Sequence, residues 1–162
     1  MVYMVYDMKK RVILIVGAIV IAALILGNLF YYNFFVRGSF EKVSSYVNDH
    51  YEDLQIFVDS IGPNERKNTI NVREFKYDTI SRVYVWGDGE TIEFHVTGFG
   101  IAPSSVEYGF IYSEDDSVVG AGNIRVGLET TDKGWKWEEP GTDNYQYIQK
   151  IRKNWYWFER HV

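Results

Sequence analysis

Between Arg11 and Arg37 the chain carries no Lys, Arg, Asp, Glu or His. The intervening stretch, VILIVGAIVIAALILGNLFYYNFFV from Val12 to Val36, is 25 residues long. As a helix it would rise about 37 Å, against a bilayer hydrocarbon core of about 30 Å. Its centre, Val12 to Leu26, is wholly apolar. Asn28 and Asn33 lie toward the far end with Phe30, Tyr31 and Tyr32, which fits an interfacial aromatic belt. The sequence therefore predicts a cytoplasmic N-terminus at 1–11, a transmembrane helix at 12–36 and a folded domain at 38–162.

A cleavable signal peptide also pairs basic residues with an apolar run. Here the run is long and no small-x-small cleavage site follows it, so retention as a signal anchor is the expectation. Met1, Met4 and Met8 are all candidate starts, and MKKRVILIV from Met8 is the more usual opening for such an anchor. Lys9, Lys10 and Arg11 flank one end of the span and Arg37 the other, which predicts an N-terminus inside and a C-terminal domain outside.

The exported part is acidic. Removing the four basic residues up to Arg37 from 17, and Asp7 from 22 acidic ones, leaves 13 against 21, a net charge of −8. That balance argues against nucleic acid, which demands a basic stripe, and against charge-driven adhesion to anionic lipid. With no cysteine the domain must cohere by packing alone. There is no Asn-x-Ser/Thr sequon either, and the combination leans bacterial.

SFEKVSSYVNDHYEDLQIFVDSIGP places Phe40, Val43, Val47, Tyr51, Leu54, Val58 and Ile61 at three- and four-residue steps. This predicts one amphipathic helix over 39–61, capped by Ser39, stopped by Gly62-Pro63 and separated from the span at Gly38. Its opposite face is acidic. After a polar loop, NERKNT, the period becomes two. A hairpin is predicted over 80–98, turning at Gly87-Asp88-Gly89, with strands to follow at SSVEYGFIYS, IRVGLET, KGWKWEEP, YQYIQKI and NWYWFERHV. A short helix is the alternative near 147–155. The expected fold class is α+β: an N-terminal transmembrane helix, then one amphipathic helix packed on a curved antiparallel β-meander with strands within 70–162.

The final strand is bulky on both faces, Trp155 and Trp157 on one, Tyr156 and Phe158 on the other. One helix covers only one face, so either the sheet and loops wrap the second or it binds something. Trp135 and Trp137 share the same spacing. The candidate binding face is therefore Trp135, Trp137, Trp155 and Trp157, set against a purely structural aromatic core.

Catalytic spacing is not found. His50, His95 and His161 are scattered, with no histidine pair at metal-ligand spacing. His50 reads as a solvated helix residue, and His95 alternates outward from the apolar side of its strand. The carboxylates of SEDDS at 113–117 lack calcium-loop spacing and read as a solvated turn. No nucleophile elbow or phosphate-cradling glycine loop occurs, and no cofactor is expected.

The segments GFIYSEDDSVVG, GWKWEEPGTDNYQYIQKI and NWYWFE resemble those of small, uncharacterised single-pass membrane-anchored bacterial proteins with an aromatic-rich C-terminal segment. The resemblance spans about residues 108–160, with Tyr145 standing where an Asn-Trp pair would complete the pattern. It implies an exported, anchored module and transfers no catalytic residue.

The sequence thus favours a non-enzymatic extracytoplasmic module that binds a protein partner or serves as an accessory subunit. The alternative is a module binding cell-wall or surface glycan through the tryptophan face. A carboxylate hydrolase would need two carboxylates about 5–10 Å apart across a cleft.

Overall fold

The computed structural model describes residues 2–61, 69–70, 79–86, 90–101 and 104–162. The chain forms two units, Met1–Asn33 and Phe34–Val162.

The first unit is helix α1 (Val2–Tyr31). Its stretch Ile13–Tyr31 is long and apolar enough to cross a membrane, and none of those 19 residues is buried. A five-residue π-helix, Tyr32–Val36, follows in the chain.

The second unit is α+β. In place of one helix over 39–61 there are two ten-residue helices, α2 (Phe40–Asp49) and α3 (Tyr51–Ser60). They meet at His50, whose φ of −114° and ψ of 19° leave helical geometry for one residue. The predicted stripe survives the break, with Val43, Val47, Leu54, Val58 and Ile61 all buried. Ser39 occupies the N-cap position, but its side chain makes no cap hydrogen bond.

The strands are β1 (Thr69–Ile70), β2 (Arg82–Trp86), β3 (Thr91–Ile101), β4 (Ser104–Ser113), β5 (Glu129–Thr130), β6 (Trp135–Glu138), β7 (Tyr145–Arg152) and β8 (Trp155–His161). They form one open antiparallel sheet in the order β1-β2-β3-β4-β8-β7-β6-β5. The predicted hairpin is β2–β3, paired from Arg82↔His95 to Trp86↔Thr91. Its turn at 87–89, residues 64–68 of the polar loop and residues 71–78 lie outside the described residues. Residues 145–152 are a strand, not the alternative helix.

The chain does not run as one meander. β1 to β4 form the first, and residues 114–128 then travel to the far edge. β5 to β8 return inward, so that the last strand lies in the middle between β4 and β7. The strand expected at IRVGLET shrinks to Glu129–Thr130, because the segment before it belongs to this crossing and includes Gly127 at φ +73°.

Central placement accounts for WYWF. On one face, Trp155 and Trp157 join Phe94, Phe110, Val83 and the helix stripe in the main core. Phe40 meets Trp157 edge-on at 6.1 Å, Tyr46 lies 6.1 Å from Phe110, and Phe57 lies 5.8 Å from Phe94. On the other face, Phe158 packs with Ile111 and Ala121. Gly109 makes room for that ring, since a Cβ there would lie 2.7 Å from Phe158 and 2.0 Å from the Phe94 carbonyl oxygen.

The crossing segment 114–128 acts as a strap over this second face, held chiefly by polar anchors. Asp116, at φ +57°, accepts from Lys150 Nζ (2.7 Å), the Asn154 backbone N–H (2.6 Å) and the Tyr156 hydroxyl (2.9 Å). The Gln146 amide donates to the Ala121 carbonyl (3.0 Å), and Arg125 Nη2 donates to Thr91 Oγ1 (2.9 Å). SEDDS is therefore a turn as expected, with half-exposed Asp116 serving in addition as an anchor to β7 and β8.

Candidate functional site

The four candidate tryptophans do not form one face. Register carries Trp135 to Ile148 and on to Phe158, and Trp137 to Gln146 and Arg160, so both lie on the strap side. Trp135 contacts the Tyr156 ring at 6.2 Å, and both Trp135 and Trp137 are half-buried. Trp155 and Trp157 point the opposite way, beneath the helices, at 0% and 4% exposure. Register across β6, β7 and β8 sets this division, placing Trp135 and Trp137 level with Phe158 and Arg160, which alternate with Trp155 and Trp157 along β8. The equal spacing of the two Trp-x-Trp pairs held no information about their relative register.

Beneath the strap lies a charged cluster centred on a buried carboxylate. Glu93 is 1% exposed. Its Oε1 sits 2.5 Å from His95 Nε2 and 3.8 Å from Arg160 Nη1. Its Oε2 accepts from the Trp86 indole (3.0 Å) and from the Gly122 backbone N–H (2.7 Å). Burial pushes the Glu93 carboxyl upward, but bonds to His95 and Gly122 with the nearby Arg160 outweigh it and hold the group below its ordinary range. Arg160 also binds Glu107 through Nε (3.0 Å) and Nη2, and His95 Nδ1 lies 3.9 Å from the same carboxylate.

Strand alternation puts Glu93, His95, Glu107 and Arg160 on one face of three adjacent strands. His95 does alternate away from the apolar side, as the sequence implies, yet it is buried because the strap region covers that face as well. A cleft of about 420 Å³ opens beside it, bordered by Ser81, Arg82, His95, Thr97, Gly98 and Glu107. A histidine–carboxylate pair at a cleft could in principle move a proton. Here both oxygens of Glu93 are committed to donors on β2, β3 and the strap, so the arrangement clamps the strap to the sheet.

A second cleft of about 500 Å³ lies on the helix side of β6, β7 and β8. Tyr147 is 37% exposed there, although its neighbours Gln146 and Ile148 are buried under the strap. Lys136 Nζ stands 5.5 Å from the Tyr145 ring centroid and 5.6 Å from that of Tyr147, which is cation–π range. His161 stacks on Tyr145 at 4.1 Å and 16°, and its Nε2 lies 2.6 Å from Glu159 Oε1. Burial, with Glu159 adding to it, raises the Tyr108 hydroxyl to about 12. Sequence reading missed this strip because it looked for tryptophan. The available signal was Tyr145-x-Tyr147 facing Lys136, legible only once β6 and β7 are paired.

Among the described residues no group of three His, Asp or Glu side chains is placed to hold a metal ion. Comparisons of the chain with family models, with curated proteins and with solved structures return no match.

Proposed function

We propose that the chain is a single-pass membrane-anchored module that displays its α+β domain on the outer side of a bacterial cell membrane and works by binding rather than by catalysis. The observation that carries the reading is the bare apolar stretch Ile13–Tyr31, none of it buried, followed in the chain by a domain with its own core. Lys9, Lys10 and Arg11 on one side of the span favour an inside N-terminus. The charged cluster supports a binding rather than catalytic role, since Glu93, Glu107 and Arg160 are spent on one another and on the strap.

The bound species is a protein partner or a complex for which this chain is an accessory subunit. A second reading, recognition of surface glycan, is favoured by the open tyrosine cleft beside Lys136. Protease added to intact protoplasts tests the display directly. Loss of a C-terminal tag with retention of an N-terminal one is expected, and a protected C-terminal tag overturns the topology. Crosslinking in the same cells separates the two forms: a stoichiometric protein neighbour supports the first, and repeated recovery of the chain alone rejects it.

A further inference from the structure

We propose that the open strip on the helix side of β6, β7 and β8 is a saccharide-binding subsite, with Tyr147 as its stacking platform. The inference rests on the glycan form of the reading above and supplies its residues.

Among the described residues eight strands at about 4.8 Å spacing make a sheet roughly 34 Å wide. Helix α2, about 15 Å long, packs over β8 and β7. The strap covers the opposite face of β7, burying Gln146 and Ile148. What remains open is the helix-side face toward β6, and Tyr147 occupies it.

Three properties of the strip match a sugar. An exposed aromatic ring offers an apolar surface to the C–H face of a pyranose, with an edge polar enough to stay wet. The cleft volume of about 500 Å³ falls within the range of small-ligand sites. Its border carries the side chains that bind vicinal hydroxyls in pairs: the Gln149 amide, the Asp132 and Glu159 carboxylates and the Lys136 ammonium.

Charge then narrows the class. The lining carries two cations, Lys133 and Lys136, and two anions, Asp132 and Glu159, and Lys136 is itself ion-paired with Glu138, so the cleft has no surplus of positive charge and suits an uncharged saccharide better than an anionic polymer. The platform is also held in place before a ligand arrives. Tyr145 meets Tyr147 edge-on at 5.5 Å and is itself fixed by the His161 stack, while His161 holds Glu159. Such preorganisation lowers the ordering cost of binding.

The test uses the full chain in micelles of a detergent without a sugar headgroup. It is titrated with a β-1,4-linked N-acetylglucosamine trisaccharide and with cellotriose, read by saturation-transfer NMR and tryptophan fluorescence. Saturable binding of either is expected, weakened about tenfold or more by Tyr147→Ala and less than about threefold by Tyr147→Phe. Gln149→Ala weakens it without altering the near-UV circular dichroism. No saturable binding of either sugar up to about 10 mM by folded protein overturns the subsite, as does binding that Tyr147→Ala leaves intact. The protoplast protease result is independent: an external domain that binds no sugar sinks the subsite alone, and an internal domain that binds sugar sinks the display alone.

Discussion

The Trp157 indole Nε1 donates a 2.8 Å hydrogen bond to the carbonyl of Gly38, joining the last strand to the residue just before the N-cap of α2. Gly38 also lies against Tyr108, where a Cβ would sit 2.4 Å from the ring's Cγ. The residue expected to separate the amphipathic helix from the span is thus a docking point of the domain core.

Trp157→Ala removes a buried indole and should destabilise the domain by about 3–5 kcal/mol. Trp157→Phe retains much of the bulk but leaves the Gly38 carbonyl without its partner, which should cost about 1–3 kcal/mol. Urea unfolding followed by near-UV circular dichroism measures both. A change below experimental error for the alanine variant contradicts burial.

Gly38→Ala should also destabilise, because the added methyl meets the body of the Tyr108 ring rather than a flexible tip. Overpacking of this kind costs about 1–3 kcal/mol. Combining it with Tyr108→Leu should recover part of the loss, and strict additivity in the double-variant cycle would show that the two residues do not touch.

Glu93→Gln should cost about 3–5 kcal/mol near neutral pH, since it removes a charge on which His95, Gly122, Trp86 and Arg160 all converge. The Glu93 carboxyl is lowered from 4.5, so the unfolded chain binds its proton first on acidification. Its contribution is present above pH 4.5 and declines as the pH falls through the folded value. The stability gap between wild type and Glu93→Gln should therefore narrow below that pH, and a constant gap down to about pH 3 would refute the assignment.

Asp116→Asn loosens the strap. The Lys150 ammonium, with the Asn154 N–H and the Tyr156 hydroxyl, holds the Asp116 carboxyl below 3.8, so this anchor too strengthens the fold above that pH and fades beneath it. Amide hydrogen exchange should accelerate across 117–127 at neutral pH while β3 and β4 stay protected. Tyr156→Phe should give a milder form of the same pattern. Unchanged exchange in the strap would mean that its apolar contacts, Val119 and Ala121, suffice to hold it.

Several features were legible in the residues because their causes are local. The uncharged run from Val12 to Val36 needs no tertiary partner to be apolar, and the stripe from Phe40 to Ile61 follows from helical period alone. Strand alternation placed Trp155 and Trp157 opposite Tyr156 and Phe158. The strands β4, β6, β7 and β8 all fall on segments expected to be strands, with a short helix as the alternative beginning within β7. The pause at His50 was not legible, since the apolar stripe runs through it uninterrupted.

What the residues alone determined is which side chains share a face of each strand or helix, because that depends only on backbone period. Which strands become neighbours was decided by the tertiary structure, because pairing joins residues far apart in the chain and period two fits any partner. Insertion of β8 between β4 and β7 buries WYWF on both sides, divides the tryptophans between the faces and leaves Tyr147 open. The same register gathers buried Glu93 and His95 with half-buried Glu107 and Arg160 from three strands into one cluster, which no spacing along the sequence encodes.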